Sequence, residues 1–415
     1  MSAPLFQPVL LGTDQGTYAL ARAFHQQYGV RSVIVSRGRS GAIANSRILD
    51  LVHTGDDSDR ADLVAALLRE GRERTRSAPD VPLVLMYNSD SHVELVSEHA
   101  EELSEFYRFP HLDRDKLAQV ADKSHFAQIC ERLGLATPRT SVVRFAGADD
   151  PAWVPDPVDV TFPVVAKPAN SADLENMRFP GVRKVWFLDT PQEWEDTVRV
   201  LREGGFRHDF LVQELIPGDD THQYSAVAYV DRSGRVTALA TAQVLLGEHD
   251  PMTIGNPVAM ITTPLPEMMD ATERILTEVG YWGFANVDAK RDPRTGVLYF
   301  MEMNARMGRN SFYATAAGAD IVGALVDDVV RQVQREPRRG THELLYSIVS
   351  PLMLPYYVRD RALRRTVVAA ARRGIVHPLL YERLNLRRQG YVAAQRLNHV
   401  RKFARHYPRL SDTGF

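Results

Sequence analysis

The chain has 415 residues, 44% hydrophobic and 25% charged, a balance that excludes a disordered or fibrous protein and leaves room for about two to three domains. Its single cysteine, Cys130, excludes disulfides and thiolate metal sites within the chain, and it sits with Phe126, Ile129 and Leu133 at helical core spacing. The net charge of −2 hides an asymmetry: from Arg331 onward there are 18 Lys/Arg against 5 Asp/Glu, leaving 32 against 47 before it.

The opening MSAPLFQPVLLGTDQG reaches Gly and Asp before a signal-like apolar core is complete, and no apolar run approaches membrane-spanning length. A cytoplasmic chain with no transmembrane segment is the expectation. PVLLGTD reads as a strand, GTYALARAFHQQYG as an amphipathic helix closed by Gly29, RSVIVSRG as a second strand, ADLVAALLREGRER as a helix and VPLVLMYNSD as a third strand. This alternation predicts an open parallel sheet, with substrate groups at the strand ends: Gly12, Thr13 and Asp14 after the first, Asn88 and Asp90 after the last. GTDQGTY lacks the G-x-G-x-x-G of a dinucleotide site, which argues against a dehydrogenase.

From Lys116 the pattern turns helical. DKSHFAQICERLG carries Lys123 in its first turn, where backbone N–H groups favour an anion; the bland reading is a solvated lysine. TFPVVAKPANSA presents a strand ending at Lys167, then a long polar loop through Gly181 and a strand KVWFL. TPQEWEDTVRVLREGG has Thr190 as N-cap, Pro191 at the first position and Glu193 completing a capping box. FLVQELIPGDD is a strand running into a turn with Asp219 and Asp220, and alternating segments over 223–246 supply it with a partner sheet.

Residues 282–312, WGFANVDAKRDPRTGVLYFMEMNARMGRNSF, read as a hairpin with the turn DPRTG. Alternation puts Asp288 on a face with Asn286 and Lys290, and Glu302 on a face with Phe300 and Asn304. Folding the hairpin brings Asp288 to Glu302, to within one bulge. Two carboxylates and an amide suit Mg²⁺ with phosphate oxygens completing its shell; a solvated polar sheet face is the alternative.

The ordered set Lys123, Lys167, VQELIPGDD, Asp288 and MEMNAR resembles the ATP-grasp ligases over about residues 100–330. LFQPVLLGTDQGTYALARAFHQQYG, AKPANS, VQELIPGDD, GFANVDAK and NARMGRNSF resemble the D-aspartate ligases of peptidoglycan crossbridge synthesis, a match that fades toward the C-terminus. The resemblance implies an α/β chain of α+β ATP-grasp type: an N-terminal Rossmann-like pre-ATP-grasp domain (1–115), a central ATP-grasp subdomain with a phosphate-covering loop (116–215), a C-terminal subdomain with the metal site (216–335) and a basic helical extension (336–415). It implies ATP and Mg²⁺ as cofactors, an amino-acid substrate such as D-aspartate, and an amine acceptor such as a peptidoglycan precursor.

Residue by residue, the resemblance assigns phosphates to Lys123, Lys167 and Lys184, and the adenine pocket to Gln213, Glu214, Leu215 and Ile216. It gives the ribose to Asp219 or Asp220, and Mg²⁺ to Asp288, Glu302 and Asn304. Arg306 and Arg309, with Lys290, are the catalytic candidates. Related ligases carry an arginine two residues before the first metal acid, where this chain has Asn286. The loop 168–183 is expected to close over the phosphates, with Arg178, Arg183 or Lys184 reaching them. A non-catalytic nucleotide sensor is the alternative from another class. The basic tail carries no nucleic-acid reading motif; it reads as a packed helical appendage or an electrostatic acceptor site. A homodimer is left open.

Overall fold

The computed structural model describes residues 4–411 except Ser171, Asn176 and Met252. Residues 1–3 of the N-terminal stretch, and Ser171 and Asn176 of the proposed phosphate-covering loop, lie outside the described residues. Three sheets organise the chain. The first is parallel, in the order β3-β2-β1-β4-β5: β1 Gln7–Leu11, β2 Ser32–Ser36, β3 Leu49–His53, β4 Leu83–Met86 and β5 Tyr107–Arg108. β3 is absent from the sequence reading because its apolar alternation is broken by exposed Asp50 and Leu51. β1 lies between β2 and β4, so the crevice of this sheet opens at the carboxyl ends of β1 and β4.

Those ends begin helices. Asp14 caps the helix Gln15–Tyr28 by accepting from Thr17 N at 2.9 Å, and Ser89 caps Asp90–Glu98 through His92 N. Gly12, at φ +114°, admits no side chain: a Cβ there would lie 2.6 Å from Thr17 Oγ1.

The second sheet, order β6-β9-β7-β8, is antiparallel: β6 Thr140–Arg144, β7 Val164–Pro168, β8 Trp186–Leu188 and β9 Asp209–Glu214. The helix Pro191–Glu203 forms as its signals require, with the capping box between Thr190 and Glu193 present. It lays Trp194, Val198 and Leu201 on a core of Trp186, Phe206 and Phe210. Burial of each such side chain stabilises by about 1.5–3 kcal/mol.

The third sheet runs β14-β13-β10-β11-β12-β16-β17, with β15 beside β11: β10 Gln223–Val230, β11 Val236–Gly247, β12 Pro257–Thr262, β13 Gly283–Arg291, β14 Leu298–Asn304, β15 Arg338–Arg339, β16 Leu345–Ser347 and β17 Ile375–Val376. The C-terminal extension is helical over Arg361–Arg373 and Leu386–His406, and it also lends β15, β16 and β17 to this sheet.

The last helix braces the molecule. Buried Arg388 donates to Ala42 O and Ala44 O, both at 3.0 Å, and its guanidinium lies 3.9 Å from the Tyr18 ring centroid. Farther along, His399 and Lys402 meet Glu248, and the His249 ring stacks on Tyr407 at 3.6 Å.

Candidate active site

A cleft of about 590 Å³ runs between the second and third sheets and ends at the crevice of the first. In the hairpin floor, Asp288 pairs with Glu302, but the register shifts between Asp288 and Ala289. Met301 is the extra residue, so Glu302 and Phe300 do not share a face as strict alternation predicts: Phe300 is buried in the core, while Glu302 and Asn304 line the cleft.

Lys123 Nζ lies 3.5 Å from Glu302 Oε2 and donates to Ala169 O at 3.0 Å. It is the first residue of the helix Lys123–Arg132, whose N-cap Asp122 accepts from Ser124 N and His125 N. Lys167 Nζ, on β7, lies 4.0 Å from the same Glu302 oxygen. Lys184 Nζ donates to Asn256 Oδ1 at 3.4 Å and Ile254 O at 3.5 Å. Burial lowers Lys167 to about 8, partly offset by the Glu302 charge, and lowers Lys184 for the same reason. Burial raises Glu302, yet Lys123, Lys167, Lys184 and Arg306 together outweigh it and hold the carboxyl well below its usual range. Asp288 goes the other way: burial and then repulsion from Glu302 push it up to about 6, despite bonds from Ser225 Oγ at 2.8 Å and Asn286 Nδ2 at 3.0 Å. Two carboxylates repelling one another beside Asn304 make a donor set that a divalent cation would relieve. Among the described residues no group of three or more His, Cys, Asp and Glu could hold a metal, so a cation here would depend on Asn304 and on oxygens from a ligand.

Gln213, Glu214, Leu215 and Ile216 all line the cleft. Gln213 donates to Thr140 Oγ1 at 2.9 Å, while its Oε1 is buried without a hydrogen-bond partner, an acceptor ready for a ligand N–H. Asp219 and Asp220 are not among the lining residues. Asp219 Oδ1 accepts from Thr221 N and His222, and Asp220 Oδ2 from Gly247 N at 2.8 Å and His249 Nε2 at 2.9 Å, so one oxygen of each carboxylate serves the turn. Arg183 and Lys184 line the cleft and Arg178 does not.

The two arginines differ. Arg306 makes paired hydrogen bonds to Asp90, Nε to Oδ1 and Nη2 to Oδ2, both at 2.9 Å, and reaches Asn304 Oδ1 at 3.2 Å. It ties the first sheet to the hairpin. Arg309 Nε lies 3.6 Å from Asp14 Oδ2 and is buried without a hydrogen-bond partner. Asp14 also accepts from Asn88 Nδ2 at 2.8 Å. Asp14, Asn88 and Asp90 therefore line the cleft as expected, whereas Gly12 and Thr13 shape the loop behind it, Thr13 O accepting from Ser40. Lys290 lies two residues beyond Asp288 on β13, away from Asn286. It lines the cleft with the two arginines, and burial lowers it to about 8, opposed by Asp220 and Asp219.

Sequence reasoning missed Ser225, Asn256, Asn310 and Tyr313. Ser225 orients Asp288, Tyr313 Oη donates to Ser225 O at 3.0 Å, and Asn310 accepts from Gln15 Nε2 at 3.0 Å. Only Asn310 carried a signal, lying in the polar run after β14. Gly308 leaves room for Asn286, whose Oδ1 would lie 2.7 Å from a Cβ there.

Residues 231–326 match the family model of the carbamoyl-phosphate synthase L chain, ATP-binding domain. The D-aspartate ligase of Enterococcus faecium is 31% identical over 326 residues, spanning 78% of this chain and 77% of that protein. The chain belongs to the D-aspartate ligase family. Its fold is that of other ATP-grasp enzymes: an L-amino acid ligase from Bacillus licheniformis superposes with a TM-score of 0.53 at 14% identity, covering 79% of this chain and 75% of that one. The biotin carboxylase domain of the Hydrogenobacter thermophilus 2-oxoglutarate carboxylase, determined with MgADP and bicarbonate, gives 0.57 at 15% identity over 81% and 72%. As a member of the D-aspartate ligase family, this chain is an ATP-grasp carboxylate–amine ligase. Among the described residues no helix is long and apolar enough to cross a membrane.

Proposed function

We propose that this ligase activates D-aspartate with ATP and joins it to the side-chain amine of the stem-peptide lysine in a peptidoglycan precursor. The observation that carries this reading is the 31% identity to a D-aspartate ligase over most of both chains, together with a cleft that joins a lysine-rich floor to the crevice of the first sheet. A carboxylate is a poor electrophile toward an amine, so γ-phosphoryl transfer to form an acyl phosphate supplies the leaving group. Lys123, Lys167 and Lys184 neutralise phosphate charge, and Gln213 to Ile216 hold the base. Asp288, Glu302 and Asn304 would hold Mg²⁺, which would supply neutralisation of phosphate charge.

Arg309 takes the donor carboxylate or the oxyanion that develops from it, since Arg306 is engaged by Asp90. Asp14 and Asn88 meet the polar groups of the amino acid. The acceptor amine approaches through a second cavity of about 370 Å³ that shares Asp90, Lys123 and Asn304 with the cleft and is lined by Glu94, Glu98, Asp122 and Arg114. The division at 115, 215 and 335, the loop over 168–183 as a lid, and a cytoplasmic location, where ATP is available, belong to the same proposal.

ADP release across a panel of D- and L-amino acids, with and without a lysine-containing wall precursor, tests it. D-aspartate is expected to give the highest rate, dependent on the precursor, with one amide in the product by mass spectrometry. Turnover with other amino acids and no precursor would overturn the substrate assignment, and nucleotide binding without turnover would overturn ligation.

A further inference from the structure

The C-terminal helix Leu386–His406 has two faces. Arg388, Val392, His399 and Phe403 are buried against the body. The opposite side carries Leu386, Gly390, Ala393, Leu397, Val400 and Ala404, all exposed and spaced by alternating steps of four and three residues. Such spacing is a continuous stripe along an α-helix, here about 30 Å long. It holds no polar side chain. Leu386 is 82% exposed, Leu397 54% and Val400 42%, and Leu384, just before the helix, is 87% exposed. Of the large exposed hydrophobics in the described chain, most lie after position 350, so the apolar surface is concentrated in the extension.

Arg387, Arg401 and Arg405 run along one side of the stripe, all exposed. Between Arg383 and Ser411 there are eight Lys/Arg and no Asp/Glu. We propose that this stripe is a docking face for an anionic membrane surface, on which the helix lies in the plane of the interface. Leucine, valine and alanine enter the boundary between headgroups and acyl chains, and the arginines beside them meet lipid phosphates. The excess of acidic residues before Arg331 is repelled by the same surface, which sets a single orientation with the extension toward the lipid.

Other occupants fit less well. The stripe has the step pattern of a helix-pairing seam, but two copies would set Arg387, Arg396 and Arg401 against a helix with no acid to neutralise them. A nucleic acid would satisfy the arginines and leave the apolar stripe uncovered, with no side chain there to hydrogen-bond a base.

The test is co-sedimentation of the full chain with large vesicles of equal parts phosphatidylglycerol and phosphatidylcholine, against pure phosphatidylcholine, at low and high salt. The protein is expected to partition to the anionic vesicles and to be released by salt. Leu386→Glu, Leu397→Glu and Val400→Glu together should lower partitioning roughly tenfold or more. Reversing Arg387, Arg401 and Arg405 to Glu should lower it by roughly a hundredfold. Leu386→Ser with Leu397→Ser is the milder apolar variant, and ligase turnover on soluble substrates without vesicles reports that each variant is folded. Absence of binding by the natural chain overturns the proposal. So does unchanged binding by folded apolar variants, which would make the association purely electrostatic. A dimer in light scattering that the apolar variants split would assign the stripe to a second copy, and tight binding of a uridine homopolymer lost in the same variants would assign it to nucleic acid.

Discussion

Asp288→Asn separates the electrostatics of the site from its chemistry. Burial and the neighbouring Glu302 charge raise the Asp288 carboxyl from the ordinary 3.8 to about 6, which corresponds to roughly 3 kcal/mol of preference for the neutral form. Because the folded value lies above the unfolded one, the carboxyl's contribution is fully present below pH 3.8 and is lost as the pH rises through 6. Asparagine is neutral throughout and keeps one oxygen for Ser225 Oγ. Without nucleotide or metal, the variant should therefore match the natural protein near pH 4 and become more stable above pH 6. For a chain of this length the gain amounts to roughly 3–6 °C in Tm. With MgADP the order should invert, because the natural protein gains the ligand's binding energy and the variant loses most of it. Ligase turnover should fall by orders of magnitude. Differential scanning calorimetry from pH 4 to 8, with EDTA and then with MgADP, reads both effects. A Tm gap that does not change with pH would refute the repulsion argument, and an undiminished MgADP shift in the variant would remove Asp288 from the metal site.

Glu302→Gln should do the opposite to the ligand-free protein, since Lys123, Lys167 and Lys184 lose the carboxylate that holds them together; discounted for its one-third exposure, the loss is about 2 kcal/mol, read by urea denaturation. Asp14→Asn keeps an N-cap side chain for the helix Gln15–Tyr28 but removes the charge beside Arg309, so the amino-acid KM should rise at least tenfold with the ATP KM little changed; an effect confined to ATP would contradict the placement of the donor. Burial lowers His92 to about 4 and His377 to about 3, so both stay neutral in the folded chain while they charge on unfolding. Stability should fall as pH drops from about 6.5 toward 3–4, each contributing at most about 1.4 kcal/mol per pH unit. His377→Gln should flatten that slope in a pH series of denaturation midpoints, and an unchanged slope would locate the acid sensitivity elsewhere.

Local physical chemistry made much of this protein legible in its sequence. Capping at Thr190, the alternating strands β1, β2 and β4, and the hairpin pairing Asp288 with Glu302 follow from interactions within a few residues or across one tight turn. The lysines at Lys123 and Lys167 were readable by type and order, because a helix first turn and a strand end present a side chain without help from distant parts of the chain. What the tertiary structure decided is which of these groups remains available. Arg306 and Arg309 are equivalent in sequence, yet Asp90, 216 residues away, engages the first and leaves Nε of the second without a bond. Asp219 and Asp220 look like ligand acceptors in sequence, yet neither lines the cleft, and β11 and His249 take one oxygen of Asp220. The bulge at Met301 puts Phe300 in the core and Glu302 in the cleft, a choice set by packing on both sides of the hairpin rather than by either strand. The same holds for the last helix: its composition announces two faces, but only the contacts of Arg388 and His399 determine which is buried. A side chain's chemistry is local to the sequence, whereas its availability depends on every partner the fold brings within hydrogen-bonding distance.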